Sequence, residues 1–226
     1  MQKCLLGSKE LQKNMKYINR ITIYICTVFS KLLFKNDLEK ILDYIFLDID
    51  NIVMIPDNLI PPLVCAEDHR FFCHPGFDVI SIIRAIFCSI FISIQGGSTI
   101  DQQLVRTITQ EKKICLKRKL KEILLAAALN GFVKKHIIAK SYIYFAYYGW
   151  EMNGYDEAIR RIRKYREFDT EQELFLIALL KYPLPQVLTE PRFQKITDRK
   201  KMLNIATKRG KNENFRLGES GLWNKS

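Results

Sequence analysis

This sequence contains few runs in which apolar and polar residues alternate, as they do in β-strands. Of all its features, this one most restricts the possible fold classes. The runs that alternate are short, whereas long segments between proline and glycine residues favour helices. A helix is expected over Pro62–His74, with proline in its first turn and Pro75-Gly76 beyond its end. The chain is therefore predicted to be mainly α-helical.

Start and stop signals predict further helices. Two positions have the spacing of a capping box, in which the first side chain caps the helix: Thr99-x-x-Gln102 and Thr170-x-x-Glu173. Together, the signals predict four helices. One runs from Ser98-Thr99 through Arg106, and the next runs from the basic stretch Lys112–Lys121 to Leu129, just before Asn130-Gly131. A third covers 134–148 and ends at Gly149, and a fourth begins at Thr170 and is ended by Pro183.

Size and charge limit the organisation of the chain. Its 226 residues are 48% hydrophobic, which is enough for a core and excludes global disorder. We expect a helical, candidate membrane-associated extension over 1–50, one main domain over 51–207 and a polar tail over 208–226. The net charge of +12 favours an anionic partner: nucleic acid, anionic lipid or a phosphorylated substrate.

The N-terminal segment leaves three interpretations open. Basic residues precede the apolar stretch Ile21–Phe34, which is shorter than the roughly 20 residues of a spanning helix and carries Lys31. It is a weak signal-anchor, a helix lying in the membrane interface, or an amphipathic helix docked on the domain.

Six cysteines and three histidines show no zinc-binding spacing and no C-x-x-C pair. Most of the cysteines lie among apolar residues, so we expect small buried side chains. A structural disulfide stays open if the chain faces an oxidising compartment.

The first block with chemical potential covers residues 66–78. On the predicted helix over Pro62–His74, Glu67, Phe71 and His74 share one face, because they are four and three residues apart. A carboxylate beside aromatic rings is partly desolvated, which raises its pKa and makes it a better base near neutral pH. The alternative is an exposed acid near a helix start.

The second block, Gly96–Arg106, joins a Gly-Gly turn to a helix N-terminus, whose N–H groups suit phosphate. Gln102, Gln103 and Arg106 add donors for a pyrophosphate or a sugar. The alternative is simple capping by Thr99.

The third block, Arg118–Ala126, places Arg118 and Glu122 one helical turn apart, so we expect an ion pair that keeps Glu122 ionised. The alternative is a solvated basic face that contributes little energy.

The three blocks occur in one order within residues 67–122. They read Glu-Asp-x-x-Phe-x-x-His-x-Gly-x-Asp, then Gly-Gly-Ser-Thr-Ile-x-Gln-Gln-Leu, then Arg-Lys-x-x-Glu. This order closely resembles the peptidoglycan glycosyltransferase family, which includes domains of bifunctional penicillin-binding proteins and the monofunctional transglycosylases. The resemblance covers about Pro56 to Leu203 and extends to Tyr142–Gly154 and Leu174–Pro191.

The resemblance implies a mainly α, lysozyme-like glycosyltransferase domain that polymerises lipid II with inversion at the anomeric carbon. Glu67 would be the general base that removes the acceptor proton, and Glu122 the second catalytic carboxylate, beside the leaving pyrophosphate. Substrate-binding roles would fall to Asp68, Arg70, Phe71, His74, Ser98, Thr99, Gln102, Gln103, Arg106, Arg118, Lys119 and Lys121.

The resemblance also implies partners and a location. The partners are lipid II, the nascent glycan chain and the bacterial cytoplasmic membrane, with the catalytic domain on its outer face and no nucleic acid. Arg118, Lys119 and Lys121 would bind the pyrophosphate, either alone or together with a divalent cation, Mg²⁺ or Mn²⁺. The apolar run Ile80–Ile94 would dip into lipid, or else form a buried core helix.

Four positions depart from the family pattern. Asp101 stands where the family commonly has Thr, Ile114 where it often has a basic residue, Asn130 where it usually has Glu, and Tyr144 where it has Asn. These departures predict an altered ion-pair and hydrogen-bond scaffold around the later helices. They leave open a different acceptor, or a weakly active or inactive membrane-bound homologue.

Two other functions compete with the transferase. A lytic enzyme that cleaves glycan is compatible with a lysozyme-like fold, but it needs no basic pyrophosphate site. A non-catalytic basic protein is compatible with the charge, but no nucleic-acid-binding motif is present. No Ser-x-x-Lys occurs, so a monofunctional polymerase without transpeptidase chemistry is expected.

Overall fold

The computed structural model describes residues 2–79, 97–111, 115–163 and 170–213. In these ranges the chain is mainly helical, as predicted, with two short strands. The expectations for Ile80–Ile94, for Gly96 and for Ile114 lie outside the described residues.

The helices are α1 (Gln2–Leu33), α2 (Lys35–Leu47), α3 (Ile49–Val53), α4 (Ile60–Glu67), α5 (Ile100–Thr109), α6 (Leu116–Leu129), α7 (Lys135–Phe145), α8 (Tyr155–Arg163), α9 (Thr170–Lys181) and α10 (Glu190–Glu213). Short 3₁₀ turns cover Asp57–Leu59 and Phe71–Cys73, and β1 (Tyr147–Gly149) pairs antiparallel with β2 (Met152–Asn153). The starts and ends of α5, α6 and α9 agree with the sequence signals.

The chain divides into two compact units, each made of separated segments: 1–47 with 73–135, and 48–72 with 136–226. The predicted boundaries at residues 50 and 207 follow chain order, whereas these units do not. The boundaries therefore stay predictions.

In the first unit, α1 packs along α6, and α2 packs against α5 and α6. One face of each helix supplies the core, which includes the fully buried Ile41, Leu104 and Leu125. Gly131 lies against the side chain of Ile23, where an added Cβ would be 3.1 Å from Cγ2. This packing holds α5 and α6, which carry two of the three sequence blocks, against each other.

In the second unit, α10 packs against α9 and α4, and α9 also packs against β1. The predicted helix over 134–148 is wrong at its end, because α7 ends at Phe145 and the chain turns into β1. Backbone hydrogen bonds with Leu184 explain this turn. The N–H of Leu184 donates to the carbonyl of Tyr148, and the carbonyl of Leu184 accepts from the N–H of Trp150. Gly149, with φ of +144°, allows this close approach.

The predicted helix over Pro62–His74 is also wrong at its end. The helix ends at Glu67, and Asp68 adopts an extended conformation with φ of −159° and ψ of 81°. The chain then turns so that the N–H of Phe71 donates to the carbonyl of Asp68, and the Phe71 ring is fully buried. Burial of this ring outweighs helix propagation, so helical spacing does not place Glu67, Phe71 and His74 on one face.

Two helices were not predicted. α8 follows the β1–β2 hairpin, and α10 extends through most of the polar C-terminal region as far as Glu213, beyond the predicted tail boundary at 208. α10 buries Ile196 and Leu203 among largely polar neighbours. Because these two apolar residues are seven positions apart, the amphipathic signal is too sparse to identify the helix from sequence.

α1 includes the apolar stretch Ile21–Phe34 almost entirely and docks on α6, as the third interpretation of the N-terminus expects. Across the described ranges, no helix combines the length and the apolar character needed to cross a bilayer.

The cysteines are partly as expected. Cys26 is buried and Cys65 is half-buried, and burial raises the pKa of both thiols. Cys73 and Cys115 are exposed, which contradicts the expectation of buried side chains. All four of these cysteines are free thiols.

Candidate active site

The second sequence block forms a capped helix start. The hydroxyl of Thr99 accepts from the backbone N–H of Gln102 at 3.3 Å and donates to the carbonyl of Gly76 at 2.7 Å. Gly76 has φ of +100°, and a Cβ there would lie 2.4 Å from the carbonyl oxygen of Ala126. Thr99 and Gly76 therefore fix the start of α5 close to the last turn of α6.

Glu122, on the inner side of α6, is the centre of a charged cluster. Its side chain is 3% exposed and meets the Arg106 guanidinium at two points, Nε to Oε1 at 2.8 Å and Nη2 to Oε2 at 3.0 Å. Arg118 Nε lies 3.3 Å from Oε1, and Lys119 Nζ lies 3.6 Å from Oε2. We call these four residues the cationic cluster, since three cations surround one carboxylate.

The cluster changes the ionisation of its members. Burial alone would raise the pKa of Glu122, but the hydrogen bonds and charge of Arg106, followed by Lys119 and Arg118, hold it below its ordinary value. Burial lowers the pKa of Lys119, although Glu122 acts in the opposite direction. The predicted ion pair between Arg118 and an ionised Glu122 is therefore confirmed.

Polar side chains of the second block complete the cluster. Ser98 Oγ accepts from Lys119 Nζ at 2.9 Å and from Arg106 Nη2 at 3.2 Å, and Gln102 Oε1 accepts from Lys119 Nζ at 2.5 Å. Gln102 is fully buried, and its Nε2 has no hydrogen-bond partner among the described residues. A buried donor without a partner is costly, so a ligand acceptor there would be stabilising.

Two predicted substrate-binding residues have other contacts. Lys121 Nζ pairs with Asp37 at 2.7 Å and Glu111 at 3.0 Å, and their hydrogen bonds raise its pKa despite partial burial. Gln103 is half-buried, and its backbone carbonyl accepts from the Thr107 hydroxyl. The structure therefore places Lys121 in a separate ion-pair group on the side of α2.

The first block supplies a second acid in the other unit. Glu67, the last residue of α4, lies 3.3 Å from Arg199 Nη2, and its side chain is 17% exposed. Arg199 also donates to the carbonyl of Ala66 at 2.7 Å, which anchors it to the end of α4. Arg199 belongs to the unpredicted helix α10, so the partner of Glu67 was missed together with that helix.

The other first-block residues are largely enclosed. Asp68 is buried, Arg70 is half-buried, and the buried ring of Phe71 packs edge-on against Phe72 with centroids 5.0 Å apart. His74 is buried, and its Nδ1 accepts from the N–H of Gly76 at 3.2 Å.

Two departures from the family pattern lie in contact with each other. The Asn130 amide donates to Asp101 Oδ1 at 2.8 Å, and Lys135 Nζ lies 2.9 Å from both oxygens of Asp101. Asp101 is fully buried, so Lys135 supplies the charge that its burial requires.

Tyr144, the third departure within the described residues, has its hydroxyl 3.3 Å from Asp48 Oδ1. Burial, then the charges of Asp48 and Asp156, raises its pKa.

Comparison with known proteins identifies a family for the chain. The sequence pattern of the Transglycosylase family matches residues 45–206, which is well over half of the chain. Penicillin-binding protein 1A of Rickettsia prowazekii is 30% identical over 146 residues, 62% of this chain and 18% of that protein. A monofunctional glycosyltransferase of Staphylococcus haemolyticus is 38% identical over 96 residues, 42% of this chain and 36% of that protein.

The family match, rather than the geometry of the site, identifies a helical glycosyltransferase. The chain belongs to the transglycosylase family, which is the peptidoglycan glycosyltransferase family that the three sequence blocks resemble. The predictions of the family, of a glycosyltransferase enzyme and of a mainly α, lysozyme-like fold are confirmed. The chain spans about a fifth of the length of the penicillin-binding proteins that it matches.

Proposed function

We propose that this protein polymerises lipid II into glycan strands on the outer face of the bacterial cytoplasmic membrane. The observation that carries this proposal is the cationic cluster, in which Arg106, Arg118 and Lys119 surround the single carboxylate of Glu122. Three positive charges against one negative charge leave an excess of two. Such a preorganised excess suits a diphosphate leaving group, whose charge grows as its bond breaks.

The reaction balances with the residues in these roles. The 4-hydroxyl oxygen of the acceptor lipid II forms a bond to the anomeric carbon of the donor chain. The bond from that carbon to undecaprenyl pyrophosphate breaks, and the electron pair leaves with the pyrophosphate. Glu67 takes the hydroxyl proton, and Arg199, which holds its carboxylate, positions the base.

The ionised state of Glu122 supports transfer over glycan cleavage as the role of this carboxylate in our proposal. A glycosidase needs a protonated carboxylic acid to deliver a proton to the leaving oxygen, and it raises the pKa of that acid. The surrounding cations lower the pKa of Glu122 instead. In our proposal, a pyrophosphate leaves without protonation, so an ionised Glu122 that positions cations is compatible with transfer.

A divalent cation remains part of the prediction, but the cationic cluster is a poor donor set for one. Its one carboxylate is already held at two points by Arg106, and its other members are cations. Polymerisation with and without a chelator tests the predicted Mg²⁺ or Mn²⁺ directly.

The decisive experiment is polymerisation of lipid II by the Glu67→Gln variant. The amide keeps the shape of the side chain and removes the base, so the rate should fall by at least about 100-fold. Glu157→Gln is the matched control, because Glu157 is a partly exposed acid that pairs with the exposed Arg160 in the described structure. A Glu67→Gln variant with the parent rate would overturn the assigned role, and shortening of preformed glycan strands by the parent would favour the lytic alternative.

A further inference from the structure

The most extensive feature without an assigned role is one side of α1. Large apolar side chains recur on this side at spacings of three and four residues, and all of them are exposed. We call them the apolar stripe: Tyr17, Ile18, Ile21, Tyr24, Ile25, Val28, Phe29, Leu32 and Leu33. The stripe is about 24 Å long at roughly 1.5 Å per residue.

The opposite side of the same helix is covered by protein. Cys26 and Ser30 are buried, and Ile23 and Thr27 lie beside Gly131 at the end of α6. The covered and exposed sides therefore run in parallel over the same turns. A helix with this arrangement can contact an apolar phase such as a lipid bilayer only through its exposed side. Its axis then lies parallel to the surface of that phase.

Positive charge accompanies the stripe. Lys16, Arg20 and Lys31 are exposed on α1, and helical spacing places them along one border of the stripe. The sequence has no aspartate or glutamate between Glu10 and Asp37. An exposed apolar surface with cations along one border is complementary to the headgroup region of an anionic bilayer.

We propose that the apolar stripe docks α1 flat on anionic lipid, with its axis parallel to the membrane plane. The proposal deepens the membrane localisation proposed above by naming the surface, the lipid charge and the orientation. Its test uses vesicles without lipid II, so its failure is distinguishable from failure of the transferase function.

The first experiment measures sedimentation of the full chain with vesicles of phosphatidylcholine, alone or mixed with phosphatidylglycerol. The parent should bind the mixed vesicles, and Tyr24→Glu with Leu32→Glu should weaken binding at least about tenfold. These two side chains are 71% and 74% exposed, so their replacement leaves the core intact. The matched control is Val187→Glu with Met202→Glu, which changes two exposed apolar residues elsewhere by the same charge.

The second experiment tests the charged border. Lys16→Gln with Arg20→Gln should weaken binding to the mixed vesicles about fivefold for each charge removed, and added salt should reduce the difference. If both α1 variants bind as the parent does, the stripe is not a lipid surface. Concentration-dependent dimerisation that the Tyr24→Glu, Leu32→Glu variant abolishes, without vesicle binding by the parent, would assign the stripe to a second copy instead.

The third experiment measures orientation and does not depend on destabilising substitutions. Tryptophan is introduced singly as Tyr17→Trp or Leu32→Trp, and the fluorescence added to that of the parent is quenched by lipids brominated at different depths. A flat helix places both probes at one shallow depth. Depths that differ by about 20 Å would show a helix along the bilayer normal and would overturn the proposed orientation.

Discussion

Arg106 and Glu122 meet through two parallel hydrogen bonds, 2.8 Å and 3.0 Å long, which join α5 to α6. The carboxylate is 3% exposed and the guanidinium 39% exposed, so the acid lies beneath the cation. Fork-to-fork pairing fixes the orientation of both groups. Glu122 is therefore placed to hold a cationic surface in shape, and the first prediction concerns its charge.

Glu122 should make stability depend on acid pH. Its folded pKa is below the ordinary value of 4.5, so its contribution is complete above that value and is lost as the pH falls through the folded pKa. At pH 7, Glu122→Gln should reduce the free energy of unfolding by roughly 2 kcal/mol. This loss is smaller than the loss expected when a fully buried ion pair is broken, because Arg106 is partly exposed to solvent. Urea unfolding from pH 7 to pH 3 should show the difference narrow below pH 4.5. A difference for Glu122→Gln that stays constant over this pH range would contradict the linkage.

Arg118→Ala should weaken donor handling. Arg118 is largely buried in an ion pair with Glu122. In our proposal it also contacts the donor pyrophosphate, and loss of a hydrogen bond to a charged group corresponds to about tenfold. We expect KM for the donor to rise by about that factor in a polymerisation assay, with a cooperative thermal transition retained. Lys117→Ala removes an exposed cation one residue away and is the control. Loss of the folded state in Arg118→Ala alone would show a structural role instead.

Arg199 should matter through Glu67. Its guanidinium contacts both the Glu67 carboxylate and the Ala66 carbonyl, so Arg199→Ala leaves the proposed base less well oriented. We expect kcat of Arg199→Ala to fall about tenfold with little change in KM. Arg199→Lys should recover part of this loss in kcat, because lysine keeps the positive charge and lacks only the forked geometry of the guanidinium. Lys201→Ala removes an exposed cation from the same helix and should be neutral. Equal losses in kcat for the alanine and lysine variants would argue against positioning through the guanidinium.

Asp101 and Asn130 should be exchangeable as a pair. Asp101→Asn leaves the largely buried Lys135 without its carboxylate and should cost about 3 kcal/mol in the free energy of unfolding. Because Asn130 donates directly to Asp101, adding Asn130→Asp returns one acid and one amide to the same contact. The double variant should recover at least half of the loss in urea unfolding. Additive losses from the two substitutions would show that the contact is not a coupled pair.

Local signals were reliable wherever the structure is decided locally. The Thr99 cap, the start and end of α6, and the ion pair between Arg118 and Glu122 follow from spacings within a few residues, and all are present. Arg106 was assigned from its motif, but its two-point contact with Glu122 joins different helices and required the fold.

The sequence by itself determined the helical class, the family and the residue types that carry the chemistry, because helix caps, charge spacing and ordered motifs are properties of neighbouring residues. Only the tertiary structure decided that α4 ends at Glu67, that Arg199 pairs with that acid, and that Asp101 lies against Asn130 and Lys135. These contacts join segments far apart in the chain. They arise because burial of groups such as the Phe71 ring and the Asp101 carboxylate selects partners that spacing along the sequence does not encode.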